Sequence, residues 1–160
     1  MSAFTAFHVV LSLIGIVAGF VVVVGFLASQ PGKLWTVLFL VTTVATSVTG
    51  FFFPFHGFTP ALGVGVVSLA VLTVTLYALY GRGLAGAWRW IYTVTAVFAL
   101  YLNFFVLIVQ AFQKVPALKA LAPTQAEPPF VIAQSVALVV FVVLGILSIL
   151  RFRSVPASIA

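Results

Sequence analysis

Residues 89–112 read RWIYTVTAVFALYLNFFVLIVQAF, and the only charge in this run is on its first residue, Arg89. A hydrocarbon core about 30 Å thick is crossed by about 20 helical residues, so the run is long enough to span a bilayer as one α-helix. The rest of the chain has the same character, since 64% of the 160 residues are hydrophobic and 5% are charged. Soluble domains carry about a quarter charged residues. The sequence therefore predicts an integral membrane protein.

Four further runs reach a similar length when the chain is divided at its turn-forming and charged residues. The prediction is an all-α fold, a single domain over residues 1–160 that forms a bundle of five transmembrane helices, with spans at about 4–28, 34–53, 61–80, 89–112 and 130–150. Thr59 is a suitable cap for the third span with Pro60 in the first turn, and Pro128 and Pro129 precede the fifth. The connection of about 16 residues before the fifth span is interpreted as a loop, of the kind that often forms a lid or a binding loop.

The charges indicate how the chain threads the membrane. Seven Lys and Arg against one acidic residue give a formal net charge of +6, and these cations stand at the ends of apolar runs. That placement is typical of topology anchors, so we expect no nucleic-acid partner. Five cations fall on one side and two on the other: Lys33, Arg82, Arg89, Arg151 and Arg153 against Lys114 and Lys119. Because Lys and Arg are retained in the cytoplasm, we expect a multi-pass protein of a cell inner membrane with its N-terminus outside and its C-terminus cytoplasmic.

Helical spacing predicts which face of each span points inward. In the fourth span, Asn103, Gln110 and Lys114 share one stripe with small residues. The other spans have similar stripes of small and polar residues: His8, Ser12, Gly15 and Gly19; Thr42, Thr46 and Thr49; Gly65, Ser68 and Thr75; Gln134, Ala137, Gly145 and Ser148. Gly15 and Gly19 form a small-xxx-small pair, which permits close approach of helix backbones.

Two interpretations of the polar residues stay open. In the first, the amides hold helices together, because a polar side chain left in hydrocarbon costs several kcal/mol and an interhelical hydrogen bond returns about 0.6 to 2 kcal/mol. In the second, they line a ligand pocket open to the outer face, since the threading places most of them in the outer half together with Glu127. The candidate ligand-binding residues are His8, His56, Asn103, Gln110, Lys114 and Gln134.

The residue types that are scarce limit the chemistry. The chain has no Cys and no Asp, and its one Glu cannot form a carboxylate pair. Paired-carboxylate hydrolysis, a Ser-His-Asp triad and a proton relay of carboxylates therefore lack their parts, which argues against a conventional enzyme. The two histidines, His8 and His56, are the only residues suited to hold haem b as axial ligands, and either could hydrogen-bond a quinone. No other metal site is predicted.

Two stretches, ALYLNFFVLIVQAFQKVPALKALAPTQAEPPF and GFFFPFHGFTP, resemble segments of small bacterial inner-membrane proteins without an assigned activity, so the resemblance implies no function. In size and span number the chain is also similar to the translocator-protein family of sterol and porphyrin binders, although the Trp- and Pro-rich signature of that family is missing. We expect a non-catalytic binding, transport or accessory component, with the lipid bilayer and other membrane subunits or a second copy as partners. The alternative is a small redox subunit that binds haem b or quinone through His8 or His56.

Overall fold

The computed structural model describes residues 3–54 and 60–153. These residues form α-helices and no strand. The helices are α1 (Ala3–Leu27), α2 (Lys33–Gly50), α3 (Pro60–Leu76), α4 (Trp88–Lys114), α5 (Pro116–Leu121) and α6 (Pro128–Arg151). Five of the elements are long and apolar enough to cross a membrane, namely α1, α2, α3 with the turn that follows it, α4 and α6. The predicted all-α architecture with five membrane-spanning helices is confirmed.

Helix bounds lie within three residues of the predicted spans, and the differences have local causes. The last turn of the third span is π-helical over Tyr77–Gly81, where the N–H of Arg82 donates to the Tyr77 carbonyl. The second helix ends at Gly50, before a short turn of aromatic residues that was predicted to be helical. Pro60 is the first residue of α3, as expected, whereas Thr59 lies outside the described residues.

The connection after α4 contains a helix that the sequence analysis did not predict. Residues 116–121, PALKAL, form α5, with Pro116 in the first turn and Val115 extended before it. Proline is favourable at the first helical position because its missing N–H would have no partner there, and Ala, Leu and Lys are good helix formers. The interpretation of this whole connection as a loop was wrong.

Helix α4 is the central element, since it packs against α1, α3, α5 and α6, while α1 and α2 pack along each other. The bundle has two ends, which we name by one residue each. The His8 end contains the starts of α1, α3 and α6, the ends of α2 and α4, and α5. The Arg89 end contains the ends of α1, α3 and α6 and the starts of α2 and α4.

Two glycines of α1 bring its backbone close to its neighbours. A Cβ atom on Gly19 would lie 2.5 Å from Leu100 Cδ1 and 2.9 Å from Phe39 Cε2. A Cβ atom on Gly15 would lie 3.1 Å from Thr42 Oγ1. Real Cβ atoms do not approach other atoms as closely as the Gly19 position would require, so α1 could not sit this near to α2 and α4 with a side chain there. The predicted small-residue contact is confirmed.

Candidate functional site

The imidazole of His8 is held between α1 and α2. Its Nδ1 lies 2.8 Å from the hydroxyl oxygen of Thr49. The same hydroxyl lies 2.7 Å from the carbonyl oxygen of Ala45 and 3.2 Å from that of Thr46 within α2, and it has one proton to donate. When that proton is donated within α2, the threonine oxygen accepts from His8 Nδ1. In this tautomer the lone pair of Nε2 can accept a hydrogen bond or bind a metal.

Aromatic rings border the same imidazole. The ring of Phe53 meets His8 edge-on with centroids 5.0 Å apart, and Phe4 lies 5.0 Å from Phe53. Gly50 leaves space near the imidazole, since a Cβ atom there would be 3.8 Å from His8 Cε1. One side of the ring is therefore polar and fixed by a hydrogen bond, and the other is apolar and aromatic.

Two predicted residues of α4, Gln110 and Lys114, belong to this end of the bundle. Gly15 of α1 faces Asn103 of α4, and His8 and Gln110 each lie seven residues further toward the same end, a rise of about 10 Å on both helices. Gln110 also shares the helical face of Asn103, because seven residues are close to two turns. It is half-buried, whereas Lys114 is exposed.

Asn103 lies deeper and connects two helices. Its side chain is buried, and its Nδ2 donates to the Thr43 hydroxyl of α2 at 3.4 Å, a long hydrogen bond. Gly15 provides the space beside it, where a Cβ atom would be 3.6 Å from that nitrogen. These contacts support the role of Asn103 as a link between helices.

Gln134 connects a different pair of helices. Its Nε2 donates to the backbone carbonyl of Phe105 at 3.2 Å, which joins α6 to α4. Its Oε1 is buried and has no hydrogen-bond partner among the described residues. Since His8 bonds α2 and Gln134 bonds α4, the two side chains serve separate contacts. Among the predicted residues, Gln110 therefore lies at the level of His8, and Gln134 has a helix-joining contact. His56 lies outside the described residues.

Glu127 organises the chain between α5 and α6. Its carboxylate accepts hydrogen bonds from the Thr124 hydroxyl at 2.9 Å, from the Thr124 N–H at 3.2 Å and from the Ala126 N–H at 3.1 Å. Desolvation acts to raise the pKa of Glu127, but hydrogen bonds from its own backbone, Thr124 and Ala126 outweigh it, so the pKa lies below its ordinary value. Gln125 completes the anchoring, since its Nε2 donates to the Val109 carbonyl of α4 at 2.9 Å.

The sequence analysis missed two contributors to the His8 site, Thr49 as its hydrogen-bond partner and Phe53 as its ring contact. Thr49 was on a predicted inward stripe, so the signal for it was present, whereas Phe53 was one of 17 phenylalanines without a distinguishing pattern. Two surface grooves, of about 250 and 500 Å³, are lined almost only by apolar atoms, and none of the predicted site residues lines either one.

No family model matches the chain, and neither the curated proteins nor the solved structures include one with significant similarity to it.

Proposed function

We propose that this protein is a non-catalytic binding component of the membrane, which holds a lipophilic ligand with a hydrogen-bonding head at the His8 end. The observation that carries the proposal is the orientation of the His8 imidazole. We assign the tautomer in which Thr49 donates to Ala45 and accepts from His8 Nδ1, which leaves Nε2 as an acceptor at the end of the bundle where α1 begins and α2 ends.

The neighbours of His8 define the chemistry of the ligand. Nε2 would accept a hydrogen bond from a hydroxyl or a protonated acid, and the ammonium of Lys114 would attract an acidic or strongly electronegative head. Gln110, at the same depth, offers both a donor and an acceptor. The rings of Phe4 and Phe53 are suited to the apolar part. Together these groups favour an amphiphile that enters from the membrane with its head toward the water.

One substitution can separate ligand binding from folding, because it keeps one hydrogen-bonding group of the His8 side chain and removes the other. His8→Asn keeps an N–H donor near the position of Nδ1, so it preserves the bond to Thr49 while removing the Nε2 acceptor. We expect this variant to melt close to wild type and to lose the lipophile that copurifies with wild type, as measured by mass spectrometry of solvent extracts. Lys114→Gln should weaken retention, and Lys119→Gln, which removes an exposed cation of α5, should not. Full retention by His8→Asn would refute the proposal.

A second function, the redox subunit with haem b or quinone, is favoured by the same hydrogen bond. Histidines that bind metals usually donate their second ring N–H to a neighbouring acceptor, which orients the ring, and Thr49 is in that position. The His8 Nε2 would bind the iron of haem b or accept a proton from a quinol. The absorption spectrum of the purified protein separates the haem-binding form of this function from the binding component, because bound haem would give a Soret band that His8→Asn abolishes. We expect no such band for the binding component.

We further propose the threading given by the charges, in a cell inner membrane with the N-terminus outside. Support comes from the unequal distribution of cations between the two ends of the bundle. The Arg89 end, which carries five of the seven cations, also has exposed aromatic side chains suited to a membrane interface, among them Trp35, Tyr80 and Trp90, each at least 40% exposed.

A further inference from the structure

The smaller of the two grooves runs between α4 and α6 on the outside of the bundle. Its wall on α4 includes Val94, Val97 and Phe98, and its wall on α6 extends from Leu138 to Ile149. Eleven residues of helix rise about 16 Å, which is close to half of a hydrocarbon core about 30 Å thick. The groove is therefore as long as one leaflet is deep.

A glycine keeps this groove open. Gly145 is one of its lining residues, and a Cβ atom there would be 3.8 Å from Val97 Cγ1, an ordinary contact distance. A larger side chain at this position would project into the groove. The surrounding face of α6 is apolar and exposed, with Leu138, Val142 and Ile146 each about half exposed. The groove thus faces the lipid.

Cations stand where the groove reaches the Arg89 end. Arg153 lies four residues after Ile149, the last lining residue of α6, and two residues beyond the end of that helix, where its backbone N–H donates to the Ser29 hydroxyl at 3.3 Å. Arg89 lies just over one turn before Val94 of α4. The two arginines meet, because Arg89 Nη1 donates to the backbone carbonyl of Arg153. Trp90, which follows Arg89 in the sequence, is half exposed. Each guanidinium has five N–H donors, and Arg89 and Arg153 each direct one to a backbone carbonyl.

No acidic side chain can neutralise these arginines. The only carboxylate side chain of the whole sequence is Glu127, at the opposite end of α6. The 24 residues of α6 put it about 36 Å away, several times the Debye length of about 8 Å at physiological ionic strength. No carboxylate side chain at the Arg89 end therefore competes with an external anion for these arginines.

We propose that this groove and its arginines form a binding site for an anionic phospholipid, with one acyl chain between α4 and α6 and the phosphate at Arg89 and Arg153. Guanidinium groups pair well with phosphate because their N–H groups match its oxygens. Tryptophan is suited to the level of the headgroups. A free phosphate would bind only to the arginines. The groove that leads to them is apolar and long enough to hold an acyl chain.

The test compares two lipids that differ in charge and two variants that remove different halves of the site. Purified protein in neutral detergent is mixed with phosphatidylglycerol or phosphatidylcholine, and bound lipid is counted by native mass spectrometry alongside the melting temperature. We expect phosphatidylglycerol to be retained preferentially. Arg153→Gln should reduce that retention about five-fold, in line with about 1 kcal/mol per cation near anionic lipid.

Gly145→Leu is the second variant, because it fills the groove and leaves every charge in place. It should lose the retained lipid, whereas Lys33→Gln, which removes a cation of the same end on α2, should retain it. Melting temperatures in phosphatidylcholine confirm that each variant is folded. Equal retention of both lipids, retention by Gly145→Leu, or equal stabilisation by glycerol phosphate without acyl chains would each overturn the proposal.

Discussion

Gly19→Ala tests how tightly α1 packs against α2 and α4. The new methyl group would lie 2.5 Å from Leu100 Cδ1 and 2.9 Å from Phe39 Cε2. Both neighbours are almost completely buried, at 0% and 1% exposure, so neither has space to move into. Overpacking of this kind costs about 1 to 3 kcal/mol, and the better helix propensity of alanine offsets about 1 kcal/mol of it. The variant should lose up to about 2 kcal/mol of unfolding free energy.

Gly145→Ala is the matched control, because the added methyl group makes only an ordinary contact at 3.8 Å from Val97 Cγ1. Here the helix propensity acts alone and should raise stability by up to about 1 kcal/mol. The assay is reversible unfolding by sodium dodecyl sulfate in mixed micelles, with wild type and both variants measured together. We expect the two variants to differ by about 1 to 3 kcal/mol. A Gly19→Ala variant as stable as Gly145→Ala would refute the close packing of α1.

A double-mutant cycle of Asn103→Leu and Thr43→Val, measured by the same unfolding assay, should give a coupling of about 0.6 kcal/mol and at most about 1.7 kcal/mol; no coupling would mean that the two side chains do not bond. Glu127 has a lowered pKa, so its stabilising effect on the connection is complete above about pH 4.3 and is lost as the pH falls through its lower folded value. The amide shifts of Thr124 and Ala126 should titrate with a midpoint below that of an exposed glutamate, and Glu127→Gln should abolish the titration. A reporter fused after Ala160 should be active in the cytoplasm, and periplasmic activity would reverse the threading.

Length and composition along the chain were enough to predict the class of fold and the positions of the five long helices. Transfer into lipid depends on length and composition, and both are local properties, so the five runs could be identified without knowledge of their neighbours. Helical period also identified the inward faces, because Gly15, Gly19 and Asn103 are buried as their spacing predicts. The helix of residues 116–121 was missed because six residues are too few to show a helical period, and a proline such as Pro116 is also compatible with a loop.

The choice of neighbouring helices and the pairing of polar groups became visible in the three-dimensional arrangement of the helices. His8 and Thr49 are 41 residues apart, Asn103 and Thr43 are 60 apart, and Arg89 and Arg153 are 64 apart. The helical period shows that a face is polar, but it carries no information about the helix opposite. In lipid there is no hydrophobic drive between helices, so the choice of neighbour depends on the fit of small residues such as Gly19 against the side chains that they face. The orientation of the His8 imidazole and the groove between α4 and α6 are consequences of that fit.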